Sequence, residues 1–193
     1  MRRKQVQQVS VSELEAELRR TQRKHTYRST LMSTISSLVI VAAIAVLVSM
    51  LWLPVLQVVG ESMTPSLSEG EIVISPKGTT FEKGDVIAFY FNNKILIKRV
   101  IANAGEWVDI DESGNVYVNN VLLDEPYVSE KAFGDCNIKL PYQVPDGKTF
   151  VMGDHRATSA DSRNTAVGCV AEEQVVGKVL LRLWPFNRIG VIE

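Results

Sequence analysis

The feature that most constrains this chain is a run of 32 residues, Ser29 to Gly60, that contains no Asp, Glu, Lys or Arg. Within it, Leu31 to Leu53 forms a mostly apolar span of 23 residues. A helix rises about 1.5 Å per residue, so this span is long enough to cross a hydrocarbon core of about 30 Å. We therefore predict one transmembrane helix over residues 29–53.

Two other interpretations of the run are weaker. Ala43-Ile44-Ala45 has the small-x-small pattern of a signal-peptide cleavage site, but it lies inside the apolar run. The run is also longer than the apolar region of a signal peptide, about 7–15 residues. A buried helix of a soluble protein would leave apolar surface exposed in a chain of 193 residues.

Charge is distributed unevenly on the two sides of the run. Residues 1–28 carry eight basic and three acidic residues, whereas the rest of the chain carries 13 basic and 19 acidic residues. The positive-inside rule then predicts a cytoplasmic tail over residues 1–28 and an extracytoplasmic domain over residues 54–193. Topology and anionic lipid explain the basic tail better than nucleic acid does, so no nucleic-acid partner is expected.

After Gly60 the pattern is that of β-strands, and no long helix is predicted there. Alternating or β-branched runs are separated by turn residues, including Asn92-Asn93 as a hairpin turn. We expect a mainly β fold of antiparallel sheets, with residues 124–148 as a looser excursion. The predicted strands are Glu71–Ser75, Asp85–Phe91, Lys94–Ala102, Glu106–Ile110, Val116–Leu123, Thr149–Met152 and Gln174–Leu183.

Three smaller features complete the organisation. In the tail, Ser12 and Glu15 match a capping box, which predicts a short amphipathic helix. Cys136 and Cys169 both fall in the predicted exported part, where a disulfide can form. The sequence does not distinguish a disulfide between them from two free thiols. The sequence leaves two locations open for the Trp184-Pro185-Phe186 segment. One is the membrane interface, where Trp52 would also lie, and the other is the protein core.

Metal and cofactor chemistry finds no support in the sequence. The chain has two histidines, His25 and His155, and no Cys/His cluster with metal-ligand spacing. No phosphate-binding glycine pattern occurs either. We predict no metal and no cofactor, and we interpret His155 as a turn residue rather than as a catalytic base.

Lys98 is the other candidate base. Alternation along KILIKRVIA places Leu96, Lys98 and Val100 on one face of a strand. On a buried face the amine loses hydration, which disfavours its charged form and lowers its pKa. A neutral amine could take a proton from a serine hydroxyl. On the strand alone, a lysine that reaches solvent at a sheet edge is the more conservative interpretation.

Four segments, in order, resemble the type I signal peptidases, membrane-bound Ser/Lys proteases that remove signal peptides from exported proteins. The resemblance covers about residues 55–193 and implies an antiparallel signal-peptidase/LexA-like β catalytic domain after the transmembrane helix. The four segments are GESMTPSL (60–67), GDVIAF (84–89), KRVIANAGE (98–106) and GDHRATSADSR (153–163).

The resemblance implies a role for each matching residue. Ser62 corresponds to the nucleophile, Lys98 to the general base and Ser159 to the serine that orients the lysine amine. Arg99 and Asp161 correspond to supporting charged positions. Five further positions belong to the same segments: Met63 and Pro65 follow the nucleophile, Arg163 has a structural role, and Gly153 and Asp154 are interpreted as turn residues.

The sequence departs from the family pattern at two positions. His155 stands where the family often has Asn. Gly60 stands where some members have a Ser whose hydroxyl joins the oxyanion hole, so the hole would depend on the Ser62 backbone N–H.

Together these features predict a serine endopeptidase that cleaves signal peptides at the outer face of the cytoplasmic membrane. Its partners would be signal-peptide-bearing preproteins and membrane lipid, and it is expected to be a monomer. The resemblance implies substrates with small residues at the first and third positions before the cut, docked in an extended form against a sheet edge. Ser62 lies only nine positions after Leu53, so the nucleophile must act near the bilayer.

Two other functions are compatible with parts of this sequence. A self-cleaving repressor of the LexA type uses the same Ser/Lys chemistry but requires a DNA-binding module. The N-terminal part of this chain is instead predicted to be a short tail followed by a membrane span. A catalytically silent, anchored β module that binds pilins or envelope proteins would not need Ser62, Lys98 and Ser159. A peptidase dedicated to one pilus or secretion system stays open within the favoured class.

Overall fold

The computed structural model describes residues 11–192 and divides the chain into two compact units, residues 1–49 and residues 50–193. Helix α1 runs over Val11–Trp52. The helices predicted for the tail and for the membrane span are therefore one continuous helix. Its sequence contains no Gly or Pro, and Pro54 follows shortly after its end, where it limits further helix. The basic residues Arg2, Arg3 and Lys4 lie outside the described residues.

The part of α1 between Thr26 and Ser49 is long and apolar enough to span a membrane. It contains 24 residues with a mean hydropathy of 2.5, and none of its side chains is buried within the protein. A helix of this length and hydropathy is a candidate membrane span. This segment is compatible with the predicted membrane anchor.

The second unit is built from short antiparallel strands that form three sheets. One sheet has the order β1-β2-β12-β13, the second β10-β9-β4-β3-β11 and the third β7-β6-β5-β8. The strands are β1 Val55–Gln57, β2 Ile72–Ile74, β3 Val86–Phe91, β4 Lys94–Ala102, β5 Trp107–Ile110, β6 Val116–Val118, β7 Val121–Leu122, β8 Tyr142–Gln143, β9 Lys148–Met152, β10 Val170–Ala171, β11 Val175–Lys178, β12 Leu181–Trp184 and β13 Gly190–Val191.

The mainly β prediction is confirmed, with corrections to its strands. Strands β1, β8, β10 and β13 have no counterpart among the predicted strands, and β8 lies within residues 124–148, which were expected to be a looser excursion. Residues 174–183 are not one strand, because a bulge follows Val175 and the chain leaves β11 in the five-stranded sheet for β12 in the four-stranded sheet. Residues 116–123 are not one strand either, since Asn119 and Asn120 both have positive φ and turn β6 back into β7.

Strand β4 matches its prediction and occupies the centre of the five-stranded sheet. Its residues 94–99 pair with β3 through the turn at Asn92, whose φ is +51°. On its other side, β9 pairs only with the later residues, from Arg99 onward. Among the described strands, residues 94–98 of β4 therefore pair on one edge only. The opposite edge is open where Lys98 lies.

Three apolar clusters form the core of the second unit. The nucleophile-side cluster includes Met63, Leu67 and Val73, and a second cluster lies under the small β5–β8 sheet. The third contains Val100, with Leu96 packed against it. The position of Lys98 between those two residues confirms the predicted buried face.

The outward face of the four-stranded sheet is apolar and exposed. Strand register aligns Val55, Ile74, Leu181 and Val191 in one row across the four strands. Beyond the end of β12, Trp184 and Phe186 stack edge to face at 4.7 Å and are 45% and 74% exposed. Core packing of these two aromatic rings is thereby excluded.

Candidate active site

Ser62 lies in a tight turn that links β1 to β2. The turn is closed by hydrogen bonds from the Thr64 N–H to the Glu61 carbonyl and from the Leu67 N–H to the Met63 carbonyl. Met63 is buried in the apolar cluster beside it, whereas Pro65 is exposed. The buried Met63 anchors the turn while the neighbouring Ser62 stays partly accessible.

Lys98 meets Ser62 from the middle of β4. Its Nζ lies 2.6 Å from the Ser62 Oγ and 3.1 Å from the carbonyl oxygen of Ile97. Lys98 is only 3% exposed. The two residues that the sequence singled out are 36 positions apart in the chain, and the fold brings their reactive atoms into hydrogen-bond contact.

The pKa of Lys98 falls from 10.5 to about 8, and its burial is the principal cause. Asp161 and Asp154 oppose this effect because their negative charge favours the ammonium form, and Arg163 adds to it. A lysine with this pKa is neutral for a substantial fraction of the time near neutral pH. Its amine can then accept the serine proton.

Ser159 is buried next to Ser62 but does not make the predicted contact with Lys98. Its Oγ has no hydrogen-bond partner among the described residues, and the Lys98 amine is held by Ser62 and Ile97 instead. A Cβ at Gly153 would lie 2.2 Å from the Ser159 Oγ and 2.4 Å from the Ser62 carbonyl oxygen. Gly153 is thus more than a turn residue, because its lack of a side chain allows the turn carrying Ser62 to approach Ser159.

Arg99 is held by Asp154, whose role the sequence analysis missed. Two parallel bonds join the Arg99 Nε and Nη2 to the two carboxylate oxygens of Asp154, at 2.9 and 2.8 Å, and both side chains are buried. Arg99 also donates to the Gly84 carbonyl and to the Ser66 hydroxyl. A buried guanidinium requires a carboxylate, and that requirement could have identified Asp154.

Asp161 makes a second buried pair, with Arg163. The Arg163 Nε and Nη2 lie 2.8 and 2.9 Å from the two Asp161 oxygens. Asp161 Oδ2 also accepts a hydrogen bond from the Gly153 N–H at 3.0 Å. This pair therefore fixes the backbone that faces Ser62.

His155 contacts the site through its backbone. Its N–H donates to the Ser62 carbonyl at 3.1 Å, while its ring Nδ1 lies 3.1 Å from the Thr158 hydroxyl. The ring is engaged within its own turn. This geometry is consistent with His155 as a turn residue.

Gly60 has a φ of +85°, in the region that favours glycine. No atom outside its neighbours lies within 4 Å of where a Cβ would stand. The backbone conformation, and not lack of space, therefore accounts for the departure from Ser at this position. The Ser62 N–H has no hydrogen-bond acceptor among the described residues.

A small groove leads to Ser62 and Lys98. It encloses about 90 Å³. One wall is formed by residues 57–60, at the end of β1, and the other by the open edge of β4 at residues 95–98. Apart from the reactive pair and Gln57, its walls are apolar or glycine.

Cys136 and Cys169 are free thiols, and burial raises the pKa of each. Within residues 11–192, no group of three or more His, Cys, Asp or Glu side chains is arranged to hold a metal ion.

The geometry can be set beside known proteins. The family model described as "Signal peptidase, peptidase S26" matches residues 31–184. The chain is 39% identical over 148 residues to signal peptidase IB of Staphylococcus aureus strain Mu50, covering 66% of this chain and 76% of the relative. It is 32% identical over 146 residues to the chloroplastic thylakoidal processing peptidase 1 of Arabidopsis thaliana, covering 67% and 41%.

Among solved structures, a signal peptidase I from Enterococcus faecalis V583 is 28% identical, with a TM-score of 0.45, over 52% of this chain and 97% of that one. The family match, by contrast, extends over more than half of the sequence and includes every residue of the Ser62 and Lys98 site. The chain belongs to the signal peptidase family, peptidase S26.

Proposed function

We propose that this signal peptidase cleaves its substrates with a Ser62–Lys98 dyad, at the outer face of the cytoplasmic membrane. The observation that carries the proposal is the 2.6 Å contact between the Lys98 Nζ and the Ser62 Oγ, made by a lysine that is almost fully buried. The lowered pKa agrees with a neutral amine at this place.

In the proposed reaction, neutral Lys98 accepts the Ser62 proton as the Oγ attacks the scissile carbonyl. The ammonium then protonates the leaving amine, and the signal-peptide half stays on Ser62 as an ester. The neutral amine next activates a water that hydrolyses this ester. Ser159 is a proposed partner of the amine during these steps, because its buried hydroxyl has no other partner among the described residues.

The oxyanion of the tetrahedral intermediate would be stabilised by the Ser62 N–H, which has no acceptor among the described residues. Gly60 supports this role through its backbone, since its positive φ sets the direction of the chain two residues before the nucleophile. No hydroxyl is available at position 60, so this site relies on main-chain donors.

The groove favours an extended substrate with small side chains. Residues 94–98 of β4 present an open edge, to which a peptide can add as a further strand. A volume of about 90 Å³ holds a small side chain, and its apolar walls disfavour charged ones. Both properties agree with small residues at the first and third positions before the cut.

Membrane placement follows from two apolar surfaces, one in each unit. The segment Thr26–Ser49 of α1 has the length and hydropathy of a membrane span. In the catalytic unit, the exposed row that includes Val55 and Val191, together with Trp184 and Phe186, offers an apolar face to lipid headgroups. We propose that the basic tail is cytoplasmic and the catalytic unit extracytoplasmic.

The dyad is tested by preprotein cleavage in detergent, comparing wild type with Ser62→Ala, Lys98→Ala and His155→Ala. We expect Ser62→Ala and Lys98→Ala to be inactive although folded, and His155→Ala to retain most activity. Full activity of Lys98→Ala would overturn the dyad. Loss of activity in His155→Ala alone would transfer the role of base to the histidine.

A further inference from the structure

The excursion after β7 contacts the same buried arginines that support the active site. Residues 125–134 are called the strap here. The Glu125 carboxylate is paired with Arg156 through two bonds, one of them 3.1 Å between Arg156 Nη1 and Glu125 Oε2, and both side chains are fully buried. Two positions later, the Tyr127 ring centroid lies 3.9 Å from the Arg99 Cζ.

The other end of the strap is held by the third arginine. Arg163 Nη1 donates to the carbonyl oxygens of Ala132 and Phe133, at 3.2 and 2.9 Å. A Cβ at Gly134 would lie 2.5 Å from the Arg156 carbonyl oxygen. The strap is thus held on the arginines at both of its ends.

Two routes lead from the strap to the reactive pair. Arg156 Nε donates to the Gly153 carbonyl at 3.1 Å, and His155, two residues on, donates its N–H to the Ser62 carbonyl. Arg99 is the neighbour of Lys98 in β4, and its Nη2 also donates to Ser66 on the turn that carries the nucleophile.

The chemistry of these contacts is not what core stability alone requires. Burying a charge pair costs desolvation free energy, and apolar side chains of similar volume often stabilise a fold as well or better. The Glu125–Arg156 pair and the stacked Tyr127 instead fix the direction of planar groups through several specific contacts. That is the property a catalytic geometry needs.

We propose that Glu125 and Tyr127 are positioning residues of the Ser62–Lys98 centre, acting through Arg156 and Arg99. Glu125 holds Arg156 against the Gly153 carbonyl and so sets the backbone on which the Ser62 turn rests. Tyr127 acts through its ring, which covers Arg99. Its hydroxyl lies 3.4 Å from Glu125 Oε1, a contact that this role does not require. The proposal rests on the proposed dyad function.

The test measures kcat and KM of the full chain in detergent, at a temperature where circular dichroism shows each variant folded. The variants are Glu125→Gln, Tyr127→Leu and Tyr127→Phe. Glu130→Gln makes the same carboxylate-to-amide change on an exposed strap residue that has no ion pair among the described residues. Ser62→Ala is included to report the activity of the dyad itself.

We expect kcat to fall about tenfold or more in Glu125→Gln and Tyr127→Leu with KM little changed, because small displacements of reacting groups are costly. Tyr127→Phe should restore most of the loss, since it keeps the ring on Arg99. Glu130→Gln should match wild type.

Wild-type kcat per folded molecule in Tyr127→Leu would overturn the proposal, even if its melting temperature falls. The same conclusion follows if Tyr127→Phe is as impaired as Tyr127→Leu. Because the Tyr127 variants keep every buried charge, they decide the matter if Glu125→Gln does not fold. Full activity of Ser62→Ala would instead refute the dyad, so the two failures are distinguishable.

Discussion

Lys98 combines burial with a 2.6 Å contact to Ser62, and its pKa of about 8 sets the pH range in which it can act as a base. Only the neutral amine accepts the serine proton. We expect kcat/KM to rise about tenfold per pH unit below pH 8 and to level off above it. A pH profile between 5 and 10 checks this, and a midpoint near 6.5 would indicate a histidine instead.

The same residue should make folding depend on pH. The folded state has the lower pKa, so between about pH 8 and 10.5 the unfolded chain binds more protons, and stability rises with pH across that window. Below pH 8 the full cost applies, on the order of 3 kcal/mol. We expect Lys98→Met to be more stable than wild type at pH 7 and to lose the rise above pH 8. Parallel melting curves at pH 7 and 10 measure both effects.

Gly153 should tolerate no side chain. A Cβ there would stand 2.2 Å from the Ser159 Oγ and 2.4 Å from the Ser62 carbonyl. We expect Gly153→Ala to cost about 1–3 kcal/mol of stability and to lower kcat more than tenfold. Gly190→Ala is a matched control, since its Cβ meets nothing within 4 Å and its φ is not positive. Equal effects of the two substitutions would contradict the steric explanation.

At the residue scale, the sequence could identify the reactive pair but not its partners. Alternation along one strand made Lys98 only a candidate base, and the resemblance to the signal peptidases singled out Lys98 together with Ser62. The pairing of Arg99 with Asp154, and the approach of Ser159 to Gly153, bring together residues from distant segments. The expected contact of Ser159 with Lys98 is not formed: the amine contacts Ser62 and Ile97, and the Ser159 hydroxyl has no hydrogen-bond partner among the described residues.

At the scale of elements, the open edge of β4 makes a prediction about substrates. A peptide added along residues 94–98 would direct alternate amide groups toward β4. We expect KM to rise when single N-methyl groups are placed on alternate substrate residues before the cut. N-methyl groups on the residues between those should have little effect on KM. Steady-state kinetics of a methylated peptide series measure this, and a uniform effect would argue against strand addition.

Strands with strong alternation and clear turns were predictable, and β4 has the bounds that its sequence indicates. Residues 174–183 were misinterpreted because their apolar pattern continues while the chain passes from one sheet to another. Very short strands such as β10 and β13 carry almost no pattern of their own. Residues 124–148 were interpreted as a loose excursion, whereas the strap within them packs on three buried arginines.

At the scale of the whole molecule, the proposed topology places the basic tail and the catalytic domain on opposite sides of the membrane. In a Cys136→Ser/Cys169→Ser background, Arg20→Cys and Lys139→Cys each place a thiol at an exposed position. We expect a membrane-impermeant maleimide to label Lys139→Cys in intact cells. Arg20→Cys should react only after permeabilisation. The reverse pattern would invert the orientation.

The open edge of β4 also bears on turnover. In an acyl-enzyme reaction, the half of the substrate that pairs with this edge is the half that remains on Ser62, and hydrolysis of the ester removes none of its main-chain hydrogen bonds. The cleaved signal peptide would therefore stay hydrogen-bonded to the edge of β4 after the mature protein has left. Its departure should limit the rate of successive cycles, and added signal peptide should compete with new preprotein for the same site.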